Sequence, residues 1–230
     1  MEDKFYICSK QLYAILKRKG ITNLYHANTV LTSLTFINNR SLLSRGYVES
    51  NNLNQTPQSS DNEDKKYDVW NDVFLDGKDF STYFNKPNHY GPVLFVMKLD
   101  LLNSPSFSKV LVTKSNPWYW KDHYQNNDRY YSSIQEIEKY YLSGSKNMHA
   151  MIMFTFRDTN NEMKLNKFCE RIILDRSQNE NFNQESESSI RNALKENSLG
   201  HINLEIREKN ISSYSSMVLN KITNLFKTKK

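Results

Sequence analysis

The apolar run at residues 91–99, GPVLFVMKL, constrains the fold more than any other segment of this chain. Every residue from Pro92 to Met97 is apolar, which is typical of a strand buried on both faces rather than of a half-exposed strand, where polar and apolar residues alternate. Such a strand needs neighbouring strands and a cover over each face. We therefore expect a sheet with this segment near its centre.

Other segments supply the remaining elements of an α+β fold. Shorter apolar stretches predict strands, and apolar residues at helical spacing predict helices. The predicted strands are NLYHA, KVLVTK, MHAMIMFTF, CERIILD and INLEIRE. The predicted helices are residues 7–19, the segment from Val30 to Asn39 (capped by Asn28 or Thr29), SIQEIEKYYL, SSIRNALKEN and SSYSSMVLNKITNLF. After Gly46, Tyr47 and Val48 are expected to begin an extended segment.

A polar segment interrupts this pattern. Residues 50–66, SNNLNQTPQSSDNEDKK, are nearly free of apolar side chains. This composition predicts a mobile loop, and we expect it to lie within a domain because the first 49 residues cannot bury a core alone. The sequence therefore predicts a single domain over residues 1–230, ending in a basic helix.

Composition excludes several classes of protein. Two cysteines, Cys8 and Cys169, cannot form a disulfide framework. The first twenty residues carry charges throughout, unlike a signal peptide, and no apolar stretch is long enough to span a membrane. The five histidines are scattered, with no pair at helical i,i+4 spacing. We therefore expect a soluble, cytoplasmic protein that uses no metal.

The charge of the chain favours a polyanionic partner. The net charge is +6 and the pI is about 9.1. Residues 114–131, KSNPWYWKDHYQNNDRYY, interleave aromatic and basic side chains, a pattern that suits stacking on unpaired bases. The alternative is that the aromatic side chains pack beneath a loop. The predicted nucleic-acid-binding residues are Trp118, Trp120, Lys121, Tyr124 and Arg129.

Three polar residues lie at the ends of predicted strands and helices and suggest a ligand-binding site besides the nucleic-acid-binding stretch. His26 ends the NLYHA strand directly before a helix, Arg45 lies beside Gly46, and Glu170 lies at the start of CERIILD. Brought together on neighbouring strands, they could bind a nicotinamide ribose and a pyrophosphate and stabilise a cation. Each also has an ordinary interpretation, as a structural histidine, a surface or cap residue and a solvent-facing strand residue.

The same segments resemble a known family. Leu24 to Gly46 resembles the opening of the DarT-like branch of the ADP-ribosyltransferase fold, where a strand ending in Tyr-His leads into a helix and a short LLS turn. VWNDVFLDGKDFSTYFNKPNHYGPVLFVM resembles the family's aromatic segment, and CERIILD resembles its catalytic strand. The resemblance runs from about Leu24 to Arg207 through short identities. It implies two packed small β-sheets with flanking helices.

The resemblance also implies roles for individual residues. NAD is the substrate, His26 holds it, an arginine steadies its phosphates and Glu170 is catalytic. Where the family has its arginine this chain has Lys65 and Lys66, so Arg45 or Arg40 is expected to serve instead.

Two further sets of residues complete these expectations. Asn28, Thr29 and Tyr67 are expected to help bind the cofactor. Glu162 and Glu205 are the alternatives to Glu170.

The leading expectation is an NAD-dependent ADP-ribosyltransferase, of the glycosyltransferase class, that modifies single-stranded DNA or RNA. It would act as a toxin or phage-defence effector neutralised by an antitoxin protein. One alternative is the same fold acting on a protein side chain, and another is a non-catalytic nucleic-acid-binding module. A metal-dependent nuclease is disfavoured because acids and histidines are not clustered in the sequence.

Overall fold

The computed structural model of the protein describes residues 2–140 and 153–208. Its α-helices are α1 (Ser9–Arg18), α2 (Val30–Asn38), α3 (Arg45–Ser50), α4 (Asp61–Lys66), α5 (Phe80–Phe84), α6 (Asn126–Arg129), α7 (Ile134–Tyr140), α8 (Leu165–Phe168) and α9 (Glu180–Glu196). Its strands are β1 (Ile7–Cys8), β2 (Asn23–Asn28), β3 (Asp72–Asp76), β4 (Val93–Lys98), β5 (Lys109–Val112), β6 (Met153–Arg157), β7 (Cys169–Asp175) and β8 (Asn203–Arg207). The 3-10 helices are Asp3–Phe5, Leu99–Asn103, Pro105–Phe107 and Pro117–Tyr119.

The α+β class is confirmed, and the strands form one sheet. In the described part of the chain eight strands follow the order β1-β5-β6-β3-β2-β4-β7-β8. All neighbours are antiparallel except β7 and β8, which are parallel. Two small packed sheets were expected, whereas the structure joins two four-stranded halves edge to edge. They meet at β2 and β3.

The junction between the halves is narrow. Strands β2 and β3 share the pair Tyr25–Asp76, whereas β2 and β4 are paired along all six residues of each strand. We call this junction the seam. Within the described residues β2 and β3 share no other pair, so the ladder of the sheet is interrupted at this junction.

The long apolar run forms β4, as the sequence predicts. Residues Val93 to Met97 are all buried, and β4 lies between β2 and β7. Leu12 and Leu16 of α1 and Phe36 and Ile37 of α2 join the same hydrophobic core. Each such side chain contributes roughly 1.5–3 kcal/mol through the burial of its apolar surface.

Two expectations about the early segments are wrong. Tyr47 and Val48 lie in helix α3, because Ser44 caps that helix by accepting a hydrogen bond from the Tyr47 amide at 3.1 Å. Gly46 is needed for packing, since a Cβ there would lie 1.9 Å from Asn71 Oδ1. Residues 61–66, expected to be loop, form α4. Acids in its first turn and lysines in its last complement the helix dipole.

Other expectations fall outside the described residues or agree with them. The predicted basic C-terminal helix and the first part of MHAMIMFTF lie outside the described ranges. The helices predicted at SIQEIEKYYL and SSIRNALKEN correspond to α7 and α9. The strands predicted at CERIILD and INLEIRE correspond to β7 and β8.

Candidate functional site

A cleft of two connected cavities opens at the seam. The inner cavity has a volume of about 80 Å³ and is lined by the end of β2, by β3 and by α3 and α4. The outer cavity, of about 600 Å³, is lined by residues 56–60, α5, residues 86–90 and the aromatic residues after β5. Both cavities share a wall formed by Gln58, Ser60, Asp76, Tyr90 and Asn116. The larger volume is within the range of about 300–1,000 Å³ that is usual for ligand sites.

The floor of the cleft is built where β2 passes into α2. Asn28 Oδ1 accepts hydrogen bonds from the Thr29 amide at 2.9 Å and from Gln58 Nε2 at 3.2 Å. Thr29 caps α2 and shares a hydroxyl hydrogen bond with Thr56 at 2.8 Å. Gly91 has φ +139°, and a Cβ there would lie 2.4 Å from the Asn28 carbonyl. Only glycine allows the chain to pass this close to the floor.

His26 bridges the seam beside the inner cavity. Its Nδ1 lies 2.8 Å from the Phe74 carbonyl oxygen, which can only accept, so Nδ1 carries the proton and Nε2 is an acceptor. Asn28 Nδ2 lies 3.5 Å from that Nε2. Burial lowers the pKa of His26 below 6.5, which outweighs the opposing effect of the Phe74 hydrogen bond. The imidazole is therefore neutral near pH 7, with its orientation fixed by β3.

Arg45 is the cation of the inner cavity. Its Nε lies 2.7 Å from Asp61 Oδ1, and its Nη2 donates to Asp61 Oδ2 at 2.8 Å and to the Thr56 carbonyl at 3.1 Å. Its guanidinium carbon lies 5.2 Å from the centre of the Trp70 ring. The Nη1 atom is buried and has no hydrogen-bond partner among the described residues. Arg45 is thus held firmly while one donor remains for a ligand.

Three carboxyl groups line the inner cavity. Burial raises the pKa of Asp64 to about 6 although the Ser60 hydroxyl donates to it at 3.1 Å. Burial also raises the pKa of Asp72 to about 6, despite its ion pair with Arg157 at 3.1 Å. Asp76 is the most perturbed, because burial alone raises its pKa to about 8. Together the three acids make the inner cavity suited to a cation or a hydrogen-bonding neutral group.

The outer cavity has aromatic walls. Its lining includes Phe80 and Phe84 of α5 together with Trp118 and Tyr119. Trp118 is 43% exposed and Tyr119 is 37% exposed, so both rings are open to solvent at the rim. Lys86 also lines this cavity and adds a positive charge.

An ion-pair network anchors the helix that carries Phe80 and Phe84. Asp79 caps α5 by accepting from the Thr82 amide at 3.3 Å. Arg207 of β8 contacts Asp79 and donates to Asp175 Oδ2 at 2.8 Å. The aromatic wall is thereby fastened to the far edge of the sheet.

The structure brings several predicted site residues together. His26, Asn28 and Arg45 line the inner cavity, and Thr29 and Trp118 line the outer one. Sequence reasoning missed Asp64, Asp72 and Asp76. No local sequence pattern marks these carboxyl groups as buried.

Glu170 lies away from the cleft. It accepts a hydrogen bond from Asn23 Nδ2 at 2.8 Å and pairs with Arg171. Asn23 begins β2 and Asn28 ends it, which separates them by about 16 Å along a strand. Glu170, which was expected to be catalytic, therefore lines neither cavity of the cleft. Of its two predicted alternatives, Glu162 is exposed and Glu205 pairs with Arg171, and neither lines the inner or the outer cavity.

Two other residues that were expected to contact the cofactor also lie outside the two cavities. Arg40 is exposed at the end of α2 and lines neither cavity. Tyr67 is 8% exposed, and its hydroxyl donates to the Trp120 carbonyl at 2.8 Å. Its ring is therefore committed to packing.

The aromatic and basic stretch at 114–131 divides in two. Trp120 is only 5% exposed and packs with Tyr67 and Tyr130, so it is not available to stack on a base. Arg129 lies over the Trp120 ring at 5.2 Å, and Tyr124 packs against the same cluster. Trp118 and Lys121 remain exposed. Of the five residues expected to bind nucleic acid, only Trp118 and Lys121 are therefore both exposed and outside the packed cluster around Trp120.

No helix within residues 2–140 and 153–208 is long and apolar enough to cross a membrane. In the same part of the chain no three His, Cys, Asp or Glu side chains are grouped so as to hold a metal ion.

Comparison with known proteins finds resemblance only to solved structures. No family model matches the chain, and no curated protein matches its sequence. One similar solved structure is Thermus sp. 2.9 DarT in complex with ADP-ribosylated ssDNA, with 9% identity and a TM-score of 0.49 over 82% of this chain and 95% of that one. Another is Thermus sp. 2.9 DarT in complex with carba-NAD+, with 10% identity and a TM-score of 0.43 over 81% and 96% of the two chains.

Proposed function

We propose that this protein is an NAD-dependent ADP-ribosyltransferase whose acceptor is single-stranded nucleic acid. The observation that carries the proposal is the two-part cleft at the seam, with a small acidic cavity under a neutral histidine and a large aromatic cavity beside it. A small cation and a larger aromatic, anionic body are the two parts of NAD+.

The lining residues fit such a ligand. The cationic nicotinamide ring suits the inner cavity, where Asp64, Asp72 and Asp76 lie. The adenine ring suits the aromatic walls of the outer cavity, and the phosphates suit Lys86 there. Bound NAD supplies an ADP-ribosyl group through its nicotinamide–ribose bond.

The chain's own groups would orient this ligand. His26 presents Nε2 as an acceptor for a ribose hydroxyl, because its Nδ1 proton is committed to the Phe74 carbonyl. Arg45 has a buried Nη1 without a partner among the described residues, and it is suited to a phosphate or ribose oxygen. Both residues are fixed before any ligand arrives, which reduces the entropic cost of binding.

The acceptor half of the proposal depends on the rim of the outer cavity. Trp118 and Tyr119 are the exposed large hydrophobic residues of the described chain, and exposed Lys121 follows them. An exposed ring stacks on an unpaired base, at roughly 1–3 kcal/mol per base, while lysine contacts the phosphates. The similar DarT structures hold ADP-ribosylated ssDNA and carba-NAD+, which are the same two kinds of ligand.

The test is to measure nicotinamide release from NAD+ by the purified protein, with and without single-stranded oligonucleotides. Mass spectrometry then locates the ADP-ribosyl group. We expect release to require the oligonucleotide and the oligonucleotide to gain the mass. A gain on protein would favour the protein-acceptor alternative. Oligonucleotide binding without nicotinamide release would favour a non-catalytic module.

A matched pair of variants checks the site. His26→Ala removes the acceptor at the inner cavity and should weaken NAD+ binding at least tenfold, about 1.4 kcal/mol. His201→Ala removes an exposed histidine outside both cavities and should change nothing. Equal NAD+ affinities in the two variants would refute the assignment of the site.

A further inference from the structure

Asp76 occupies the wall common to the two cavities. It is the last residue of β3 and faces Tyr25 across the seam. Its Oδ1 atom is buried and has no hydrogen-bond partner within the described residues. A buried polar atom left without a partner is uncommon in folded proteins and calls for an explanation.

The two neighbouring acids are compensated, and Asp76 is not. Asp72 pairs with Arg157, whose Nε lies 3.1 Å away. Asp64 accepts from Ser60 at 3.1 Å and feels the charge of Arg45. No cation in the described part of the chain offsets the burial of Asp76. The cleft therefore contains a carboxyl whose counter-charge is missing.

We infer, on the basis of the proposed function, that ionised Asp76 supplies the negative charge that faces the cationic nicotinamide of NAD+ and makes the site prefer NAD+ to NADH. The dihydronicotinamide of NADH is neutral and of similar size, so the two ligands differ mainly in the charge of this ring. Charges attract far more strongly in a cavity shielded from water than at a surface. A cation in the inner cavity would compensate Asp76, whereas a neutral ring would not.

The protonation state of Asp76 makes this inference testable. Burial raises the pKa of Asp76 to about 8, so in the free protein the carboxyl is mostly protonated at pH 7. Binding a cation must release that proton. The affinity for NAD+ should therefore rise about tenfold per pH unit between about pH 6 and pH 8 and then level off. The affinity for NADH should not follow this trend.

Other titratable and charged groups border the cleft. They are Tyr25, His26, Arg45, Asp64, Asp72, Lys86, His89, Tyr90 and Tyr119. The pKa of Tyr90 is raised to about 12 by burial and by nearby acids, and those of Asp64 and Asp72 are about 6. NADH would occupy the same two cavities and meet the same groups, so the ratio of the two affinities isolates the effect of the charge on the nicotinamide ring.

The experiment is calorimetric titration of the full chain with NAD+ and with NADH, without an acceptor, at pH 6, 7, 8 and 9. We expect the wild type to prefer NAD+ at least tenfold at pH 8 and to lose most of that preference at pH 6. Asp76→Asn should bind both ligands alike at every pH. Asp100→Asn, which changes an exposed carboxyl outside both cavities, should behave as the wild type.

The possible failures can be told apart. A wild type that binds neither ligand would overturn the proposed function together with this inference. A wild type that binds and cleaves NAD+ while Asp76→Asn keeps the preference and its pH slope would overturn only the inference. A wild-type preference that does not change with pH would also overturn it, even if Asp76→Asn failed to fold.

Discussion

The Arg207→Met substitution tests how the aromatic wall of the cleft is held. Arg207 ends β8 and contacts Asp79 at the start of α5 and Asp175 at the end of β7. Its Nη2 donates to Asp175 Oδ2 at 2.8 Å and its Nη1 donates to Thr82 Oγ1 at 2.9 Å. The exposed fractions of the Arg207, Asp79 and Asp175 side chains are 14%, 15% and 3%. Methionine keeps the length of the side chain and removes the charge.

The expected loss of stability is large because two acids lose their cation. Breaking a buried ion pair by removing one partner costs about 3–5 kcal/mol, since a charge is left without compensation. For a domain of this size each kcal/mol lowers Tm by roughly 2–4 °C. We therefore expect Tm to fall by roughly 6–20 °C.

The loss should depend on pH in a defined direction. Burial raises the pKa of Asp79, but the hydrogen bond and the charge of Arg207 lower it by a larger amount. The pKa of Asp79 is therefore below 3.8. A carboxyl with a lowered pKa stabilises the fold above its unfolded pKa, and this stabilisation is lost as pH falls through the folded pKa. In the variant the hydrogen bonds from Thr82 remain but the charge and hydrogen bond of Arg207 are gone, so Asp79 takes up its proton at a higher pH than in the wild type. The difference in stability between wild type and variant should thus be widest near pH 7 and smaller near pH 4.

The assay is urea unfolding followed by tryptophan fluorescence at pH 7 and at pH 4. Arg176→Met is the matched control, because Arg176 pairs with Glu208 and Glu180, which are 72% and 57% exposed. Exposed pairs of this kind contribute at most about 1 kcal/mol. A loss below about 1 kcal/mol for Arg207→Met at pH 7, or an equal loss at both pH values, would refute this reasoning.

Two further predictions separate the exposed residues from the packed ones. Trp118→Ala should weaken single-strand oligonucleotide binding about tenfold with little change in Tm, whereas Trp120→Ala should lower the free energy of unfolding by about 3–5 kcal/mol. Binding titrations and thermal melts of both variants test this, and the opposite pattern would show that Trp120 belongs to the binding surface. Glu170→Gln should leave nicotinamide release within about twofold of wild type, because Glu170 lies at the opposite end of β2 from the cleft; a loss of a hundredfold or more in that assay would reinstate it as the catalytic acid.

The sequence predicts those parts of the fold that are determined by residues close together in the chain. The run that forms β4 is apolar without interruption, and only a strand buried on both faces explains it. His26 and Thr29 lie where a strand gives way to a capped helix, and a strand end followed by a helix start can be recognised from neighbouring residues alone. Their placement at the cleft agrees with that reasoning.

The parts that sequence reasoning misses depend on contacts between distant segments. Strand β7 is predicted correctly, yet Glu170 lies at the end of it that is away from the cleft, because pairing with β4 rather than local sequence decides which end meets the cleft. Trp118 and Trp120 are two residues apart with similar neighbours, and Tyr67, some fifty residues earlier, determines that the second is buried. The raised pKa of Asp76 likewise results from burial by other elements.

The seam also governs how this chain can fold. One half of the sheet contains β1, β3, β5 and β6, and the other contains β2, β4, β7 and β8. The backbone crosses from one half to the other between β1 and β2, β2 and β3, β3 and β4, β4 and β5, and β6 and β7. Neither half is a continuous stretch of sequence, so neither can be excised as a single segment. Pairings between distant segments close slowly, and we expect the whole sheet to assemble in one cooperative and comparatively slow step.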